Sequence, residues 1–193
     1  MAHIKELDND LPSEPMFFMK PETALLPAGE PFPYPDFSKE VHFETELVLH
    51  ICKSGKNIPE SQASEYYDAL TVGIDFTARD LQSRCKAKGH PWEIAKAFDY
   101  SAPMGSFKKI SELKNSSDIA FGMKLNGGWA QQGHSRDMNF SFDCIVSHVS
   151  RFVTLNEGDC IFTGTPQGVG AVHVGDVLEL FLEEESIFCF NVK

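Results

Sequence analysis

The chain has 193 residues, 42% hydrophobic and 23% charged, which suits one soluble globular domain and leaves two cramped. A formal net charge of −11 argues against a nucleic-acid partner, because phosphate binding needs a basic surface. No apolar run approaches the ~18–20 residues that span a bilayer. The polar first ten residues do not read as a signal peptide, and five scattered cysteines without a CxxC pair speak against disulfides or a zinc site. The expected compartment is cytoplasmic, with no membrane partner.

In chain order, residues 16–19 predict a short strand and the Pro-rich stretch 27–35 an extended loop. A strand follows over 41–52, and residues 61–70 predict a helix. A second helix is expected from about Ala78 to Lys88, with Thr77 and Asp80 as a capping box and Gly89 as its stop. Asn126-Gly127 is the strongest hairpin signal in the chain. Phe142, Ile145, Val146, Val149 and Phe152 mark one apolar helix face. Short strands follow at 160–162, 177–182 and 187–192. Strands dominate, so the fold class is α+β on a β core.

Within the strand 41–52, Glu44 and Glu46 share one face, with Cα atoms about 6.5–7 Å apart. His42 and His50 lie on the same face, opposite Phe43, Leu47, Leu49 and Ile51. Two readings fit this pattern. One is the wet face of a half-exposed antiparallel strand. The other is a pair of carboxylate ligands for a hard divalent cation such as Mg2+, Mn2+ or Ca2+. Asp75, standing just before a helix start, is the natural third ligand, unless it only caps a turn. Arg79 and Gln82, three apart on that helix, are neighbours suited to a small carboxylate; Arg79 pairing with a surface acid is the plainer option.

The segment Thr163-Gly164-Thr165-Pro166-Gln167-Gly168-Val169-Gly170 is richer in glycine and threonine than a turn requires; it either offers N–H and hydroxyl donors to an oxyanion or is a plain tight loop. It lacks the Gly-Lys-Ser/Thr ending of a nucleotide-phosphate loop. His3 and Glu6 have i,i+3 spacing and could together activate water. Lys20 and Lys96 sit in apolar settings, where a lysine either awaits an anion or simply extends its ammonium to solvent. His90, His134, His148 and His173 show no ligand spacing.

Taken together, Phe17-Phe18-Met19-Lys20-Pro21, His42-Phe43-Glu44-Thr45-Glu46-Leu47 and Gly73-Ile74-Asp75-Phe76-Thr77-Ala78-Arg79-Asp80-Leu81-Gln82 resemble the fumarylacetoacetate hydrolase family. So do the stretch from Trp92 to Asp99, Leu125-Asn126-Gly127, Glu157-Gly158-Asp159 and the Thr163–Gly170 loop. The likeness is to the small acylpyruvase and oxaloacetate decarboxylase type, and it runs in order along nearly the whole chain. It implies a mixed β-sandwich roll of the family's C-terminal domain type, forming a homodimer. It implies Mg2+ or Mn2+ on Glu44, Glu46 and Asp75, with Lys96 beside the metal. Lys20, Arg79, Gln82 and Thr165 would bind substrate, and His3 with Glu6 would match the family's His-x-x-Glu dyad on a lid.

The implied activity is metal-dependent hydrolysis of a C–C bond in a small 2,4-dioxo acid, an acylpyruvate, through a pyruvate enolate. Oxaloacetate decarboxylation, or isomerisation and decarboxylation of 2-oxo-diene dioates in aromatic catabolism, would use the same enolate. An inactive metal-binding interaction module is the non-enzyme alternative. The expected organisation is one catalytic domain over 1–193, read as lacking the family's first N-terminal strand because only Met1 and Ala2 precede His3.

Overall fold

A computed structural model describes residues 13–193. Among these residues the strands are β1 (Val41–Phe43), β2 (Thr45–Ile51), β3 (Tyr67–Ile74), β4 (Thr77–Ala78), β5 (Lys108–Lys109) and β6 (Ala120–Leu125). They continue with β7 (Gly128–His134), β8 (Cys160–Phe162), β9 (Gly170–Ala171), β10 (Val177–Leu182) and β11 (Glu185–Asn191). The helices are α1 (Arg79–Lys88), the single turn α2 (Glu93–Lys96) and α3 (Phe142–Phe152). None is long and apolar enough to cross a membrane.

The strands form three antiparallel sheets, ordered β5-β3-β2-β8, β11-β10-β6-β7 and β4-β1-β9. The two four-stranded sheets pack against each other, β2 meeting β6 and β3 meeting β10. Leu47, Leu49, Leu70, Val72, Met123, Leu178 and Leu180 fill the space between them. Phe32 stacks on Phe76 at 4.0 Å between ring centroids and extends the core under the small sheet. This is the mainly β, mixed α+β sandwich roll expected.

One topological feature positions everything that follows. β2 is flanked by β3 and β8, and β1 by β4 and β9. Each pair β3/β4, β1/β2 and β8/β9 therefore passes from one sheet to the next along a common seam. The continuous strand expected over 41–52 is in fact broken at Glu44. There Glu44 C=O accepts from Asp75 N–H at 2.8 Å, and Thr45 N–H turns to the Gln131 side chain.

Several local expectations hold for the physical reasons that suggested them. Asn126 and Gly127 both have positive φ, 52° and 83°, as a two-residue hairpin turn of matching twist requires. Gly89 ends α1 at φ 64°, and His90 N–H returns to Cys85 C=O at 2.9 Å. Ser141 caps α3 by accepting from Cys144 N–H at 3.1 Å.

Others are corrected. Residues 16–19 join no sheet ladder. The helix expected over 61–70 is a 3-10 segment, Glu60–Glu65, followed directly by β3. Tyr67, Thr71, Val72 and Ile74 are β-favouring, and pairing along the length of β2 overrides local helix propensity. The last strand begins at Glu185, earlier than expected, because the turn at Glu183 (φ 55°) folds it straight back onto β10.

The Thr77–Asp80 capping box does not form, since Ala78 is the N-cap residue and offers no side-chain cap. Asp80 instead accepts from Ser38 Oγ at 2.7 Å, Lys39 N–H at 3.2 Å and Leu81 N–H at 2.9 Å. Partial burial raises its carboxyl pKa, but these hydrogen bonds outweigh that and hold it below the usual carboxylate value. A carboxyl depressed in the folded state contributes stability above its unfolded pKa and loses it as pH falls through the folded one. Asp80→Asn is therefore expected to lower stability at neutral pH and to flatten the acid limb, measured by urea unfolding across pH.

Candidate functional site

The seam gathers three buried carboxylates. Glu44 stands at the β1/β2 break, Glu46 two residues on, and Asp75 at the end of β3, all at most 8% exposed. One oxygen from each lies within 4.8 Å of the others. The wet-face reading of Glu44 and Glu46 is thus overturned: the pair faces inward, because the change of sheet closes over it.

Three cations surround the cluster. Lys96, at the end of α2, donates to Glu44 Oε2 at 2.8 Å, Asp75 Oδ2 at 2.5 Å and Thr77 Oγ1 at 2.5 Å. Arg79, at the start of α1, donates to Glu44 Oε1 and to Gln82 Oε1, each at 2.6 Å. Lys20 Nζ lies 2.9 Å from Asp75 Oδ1 and is held by Ser101 Oγ at 2.8 Å and the Lys96 carbonyl. Arg79 and Gln82 do meet on one helix face as their spacing suggested, and there Gln82 accepts from Arg79 while Arg79 holds the buried Glu44.

These neighbours divide the carboxylates. Burial alone would raise the Glu44 carboxyl, but the Lys96 and Arg79 charges outweigh it and bring it down to about 2. Glu46 is pushed up to about 8 by burial and by the Asp75 and Glu44 charges, against which Gly164 N–H at 2.5 Å is the main opposing contact. Burial lowers the Lys20 pKa although Asp75 opposes it. For Lys96 burial also acts downward, yet Asp75 and Glu44 raise the net value.

The donor set fits a hard divalent cation. It is all oxygen, and Glu46 is a carboxylate short of positive charge. Asp75 Oδ1 is buried, and among the described residues its partner is the Lys20 ammonium at 2.9 Å.

The Thr163–Gly170 loop closes one side. Thr163 N–H and Oγ1 donate to Leu47 C=O at 3.1 and 2.9 Å, and Thr165 Oγ1 is bound to Gln131 Nε2 at 2.9 Å. Phe18 covers Lys96, whose Nζ lies 5.1 Å from the ring centroid. The structure thus gathers Lys20, Glu44, Glu46, Asp75, Arg79, Gln82, Lys96 and Thr165 from the sequence candidates. His3 and Glu6 lie outside the described residues. Gln131 and Ser101 were not singled out by sequence, where each is one ordinary polar residue, and Thr77, expected as a helix cap, instead accepts from Lys96.

A family profile described as fumarylacetoacetate (FAA) hydrolase C-terminal matches residues 1–192. The chain belongs to the fumarylacetoacetate hydrolase family. It is 39% identical over 191 residues to mitochondrial oxaloacetate tautomerase FAHD1 of Mus musculus, covering 99% of this chain and 86% of that one. Among solved structures, fumarylpyruvate hydrolase from Pseudomonas aeruginosa in complex with Mn2+ and pyruvate superposes with a TM-score of 0.92 at 38% identity. That match covers 99% of this chain and 84% of the other. A more distant family structure, 2-hydroxyhepta-2,4-diene-1,7-dioate isomerase from Mycobacterium marinum, matches at TM-score 0.84 and 31% identity, over 94% of this chain and 69% of its own.

Breaking a buried ion pair from one side leaves a charge uncompensated, at a cost of about 3–5 kcal/mol. Lys96→Met strips the ammonium from both Glu44 and Asp75. It is expected to destabilise the metal-free protein by about that amount, read by chemical unfolding, whereas Lys114→Met, whose partner Glu184 is fully on the surface, should change little.

Proposed function

We propose that the chain is a divalent-metal-dependent enzyme acting on small 2-oxo acids, cleaving the C–C bond of an acylpyruvate to release a pyruvate enolate. The observation that carries this reading is the buried Glu44–Glu46–Asp75 cluster, with its oxygens within 4.8 Å and Lys96, Arg79 and Lys20 around it. Those three carboxylates would hold Mg2+ or Mn2+, and the likeness to a Mn2+- and pyruvate-bound fumarylpyruvate hydrolase supports both the ion and the ligand class. When bound, the ion supplies Lewis acidity toward the 2-oxo group.

The chain's own residues do the rest. Lys96 and Arg79 place fixed positive charge where enolate charge develops, in a site dry enough to make it effective. Lys20 balances Asp75, and Thr165 with the loop N–H groups offers donors to a substrate carboxylate. His3, oriented by Glu6, is assigned the activation of the attacking water. A second reading is tautomerisation or decarboxylation of oxaloacetate, favoured by the 39% identity to the mouse oxaloacetate tautomerase. It needs the enolate but no attacking water. A homodimer remains part of the proposal, carried by the family likeness.

Turnover of acetylpyruvate and oxaloacetate, with and without Mn2+, tests the reading; absent or metal-independent turnover of both would overturn it. Glu46→Gln keeps the shape and removes the ability to ionise against a bound cation. It is expected to weaken Mn2+ binding, measured by calorimetry, by more than the about 10–100-fold typical of outer-shell partners. His3→Ala separates the two readings: it should abolish acetylpyruvate cleavage and spare oxaloacetate chemistry, and equal loss of both contradicts the water-activating role.

A further inference from the structure

Gln131, on β7, is 1% exposed and joins the two sides of the site. Its Oε1 accepts from Thr45 N–H at 2.8 Å, the amide between Glu44 and Glu46. Its Nε2 faces Thr165 Oγ1 at 2.9 Å, Pro166 C=O at 3.0 Å and, more weakly, Gln167 C=O at 3.5 Å. These partners dictate the orientation of the amide. A backbone N–H can only donate and a backbone carbonyl can only accept, so the Gln131 oxygen must face Thr45 and its nitrogen must face the loop.

A consequence follows at Thr165. Its hydroxyl oxygen accepts from Gln131 Nε2, which leaves its single proton to be donated. Among the described residues nothing accepts that proton. Nor can the loop easily reorient. A Cβ at Gly168, where φ is 96°, would come within 2.7 Å of Ala130 C=O, so the loop lies tightly against β7. On the other side Gly164 N–H is bound to Glu46.

We propose that Gln131 is a positioning residue that makes the Thr165 hydroxyl a dedicated hydrogen-bond donor to an anionic oxygen of the ligand held at the carboxylate cluster. This rests on the reading of that cluster as a metal and 2-oxo-acid site. Gln131 is thereby a determinant of anion affinity, although it touches neither metal nor ligand. The same side chain ties this donor to the backbone between two of the three carboxylates, so that donor and ligand set stay in register.

The test is calorimetry with Mn2+ alone and with oxalate added to the Mn2+-loaded protein. Gln131→Met and Thr165→Val are each expected to weaken oxalate binding about 10- to 100-fold, as losing a hydrogen bond to a charged group does. The double variant should bind no more weakly than the weaker single variant. Thr165→Ser should bind as the wild type does, and Mn2+ affinity without oxalate should be unchanged in both Thr165 variants, which leave the Gln131–Thr45 bond in place. If Gln131→Met does not fold, Gln131→Asn, a neutral amide too short to span Thr45 and the loop, replaces it with the same expected loss.

Additive losses, a parallel loss of Mn2+ affinity in Thr165→Val, or Thr165→Val binding oxalate normally would each overturn the inference while leaving the functional reading intact. Wild-type protein that takes no oxalate with Mn2+ would overturn the functional reading and the inference together.

Discussion

Three carboxylates buried at one seam set the terms for the rest of the molecule. At 4.8 Å and an effective dielectric constant near 20, each ionised pair repels by about 3–4 kcal/mol. That is a large part of the 5–15 kcal/mol by which a domain is stable. The cluster therefore exists only with positive charge built around it, and the structure supplies Lys96, Arg79 and Lys20 at hydrogen-bond or ion-pair distance. Even so, among the described residues Glu46 has a backbone N–H as its hydrogen-bond partner, and burial with the Asp75 and Glu44 charges pushes its carboxyl up to about 8. The cluster is better balanced by a divalent cation than by the chain alone.

The sheet topology explains why these groups meet. Where a strand leaves one sheet for another, its backbone N–H and C=O groups lose their ladder partners and must find others. Here they find one another: Asp75 N–H binds Glu44 C=O, and Thr45 N–H binds Gln131. A seam of this kind brings side chains from three strand pairs to one level without any of them being close in sequence. The helix start at Arg79 and the turn ending at Lys96 then deliver cations from just beyond β4. The rigidity that holds the acids is the same rigidity that orients the Gly-rich loop.

Much of the fold was legible because it rests on local chemistry. The Asn126-Gly127 hairpin, the Gly89 stop and the apolar stripe of α3 follow from φ preferences and from a 3.6-residue period, which act over a few residues. Residues 61–70 and the Thr77–Asp80 cap misled for the complementary reason. There a local preference competed with sheet pairing or with a distant partner, Ser38 for Asp80, and lost. The site residues were legible singly, through unusual residue types in apolar settings, and collectively through the family likeness.

By itself the sequence determined that two carboxylates lie two residues apart in a strand, that a third acid precedes a helix, and that a Gly-rich loop offers donors. It left open whether Glu44 and Glu46 were wet or buried, because alternation of side chains specifies a face and not what covers it. Only the tertiary structure decided that, by breaking the strand at Glu44 and folding β4, β9 and the Thr163–Gly170 loop over the break. It alone revealed the roles of Gln131, of Ser101 and of Thr77 as a partner of Lys96, since a polar residue acquires its role from partners that the fold brings to it, and those distances are not set by spacing along the chain.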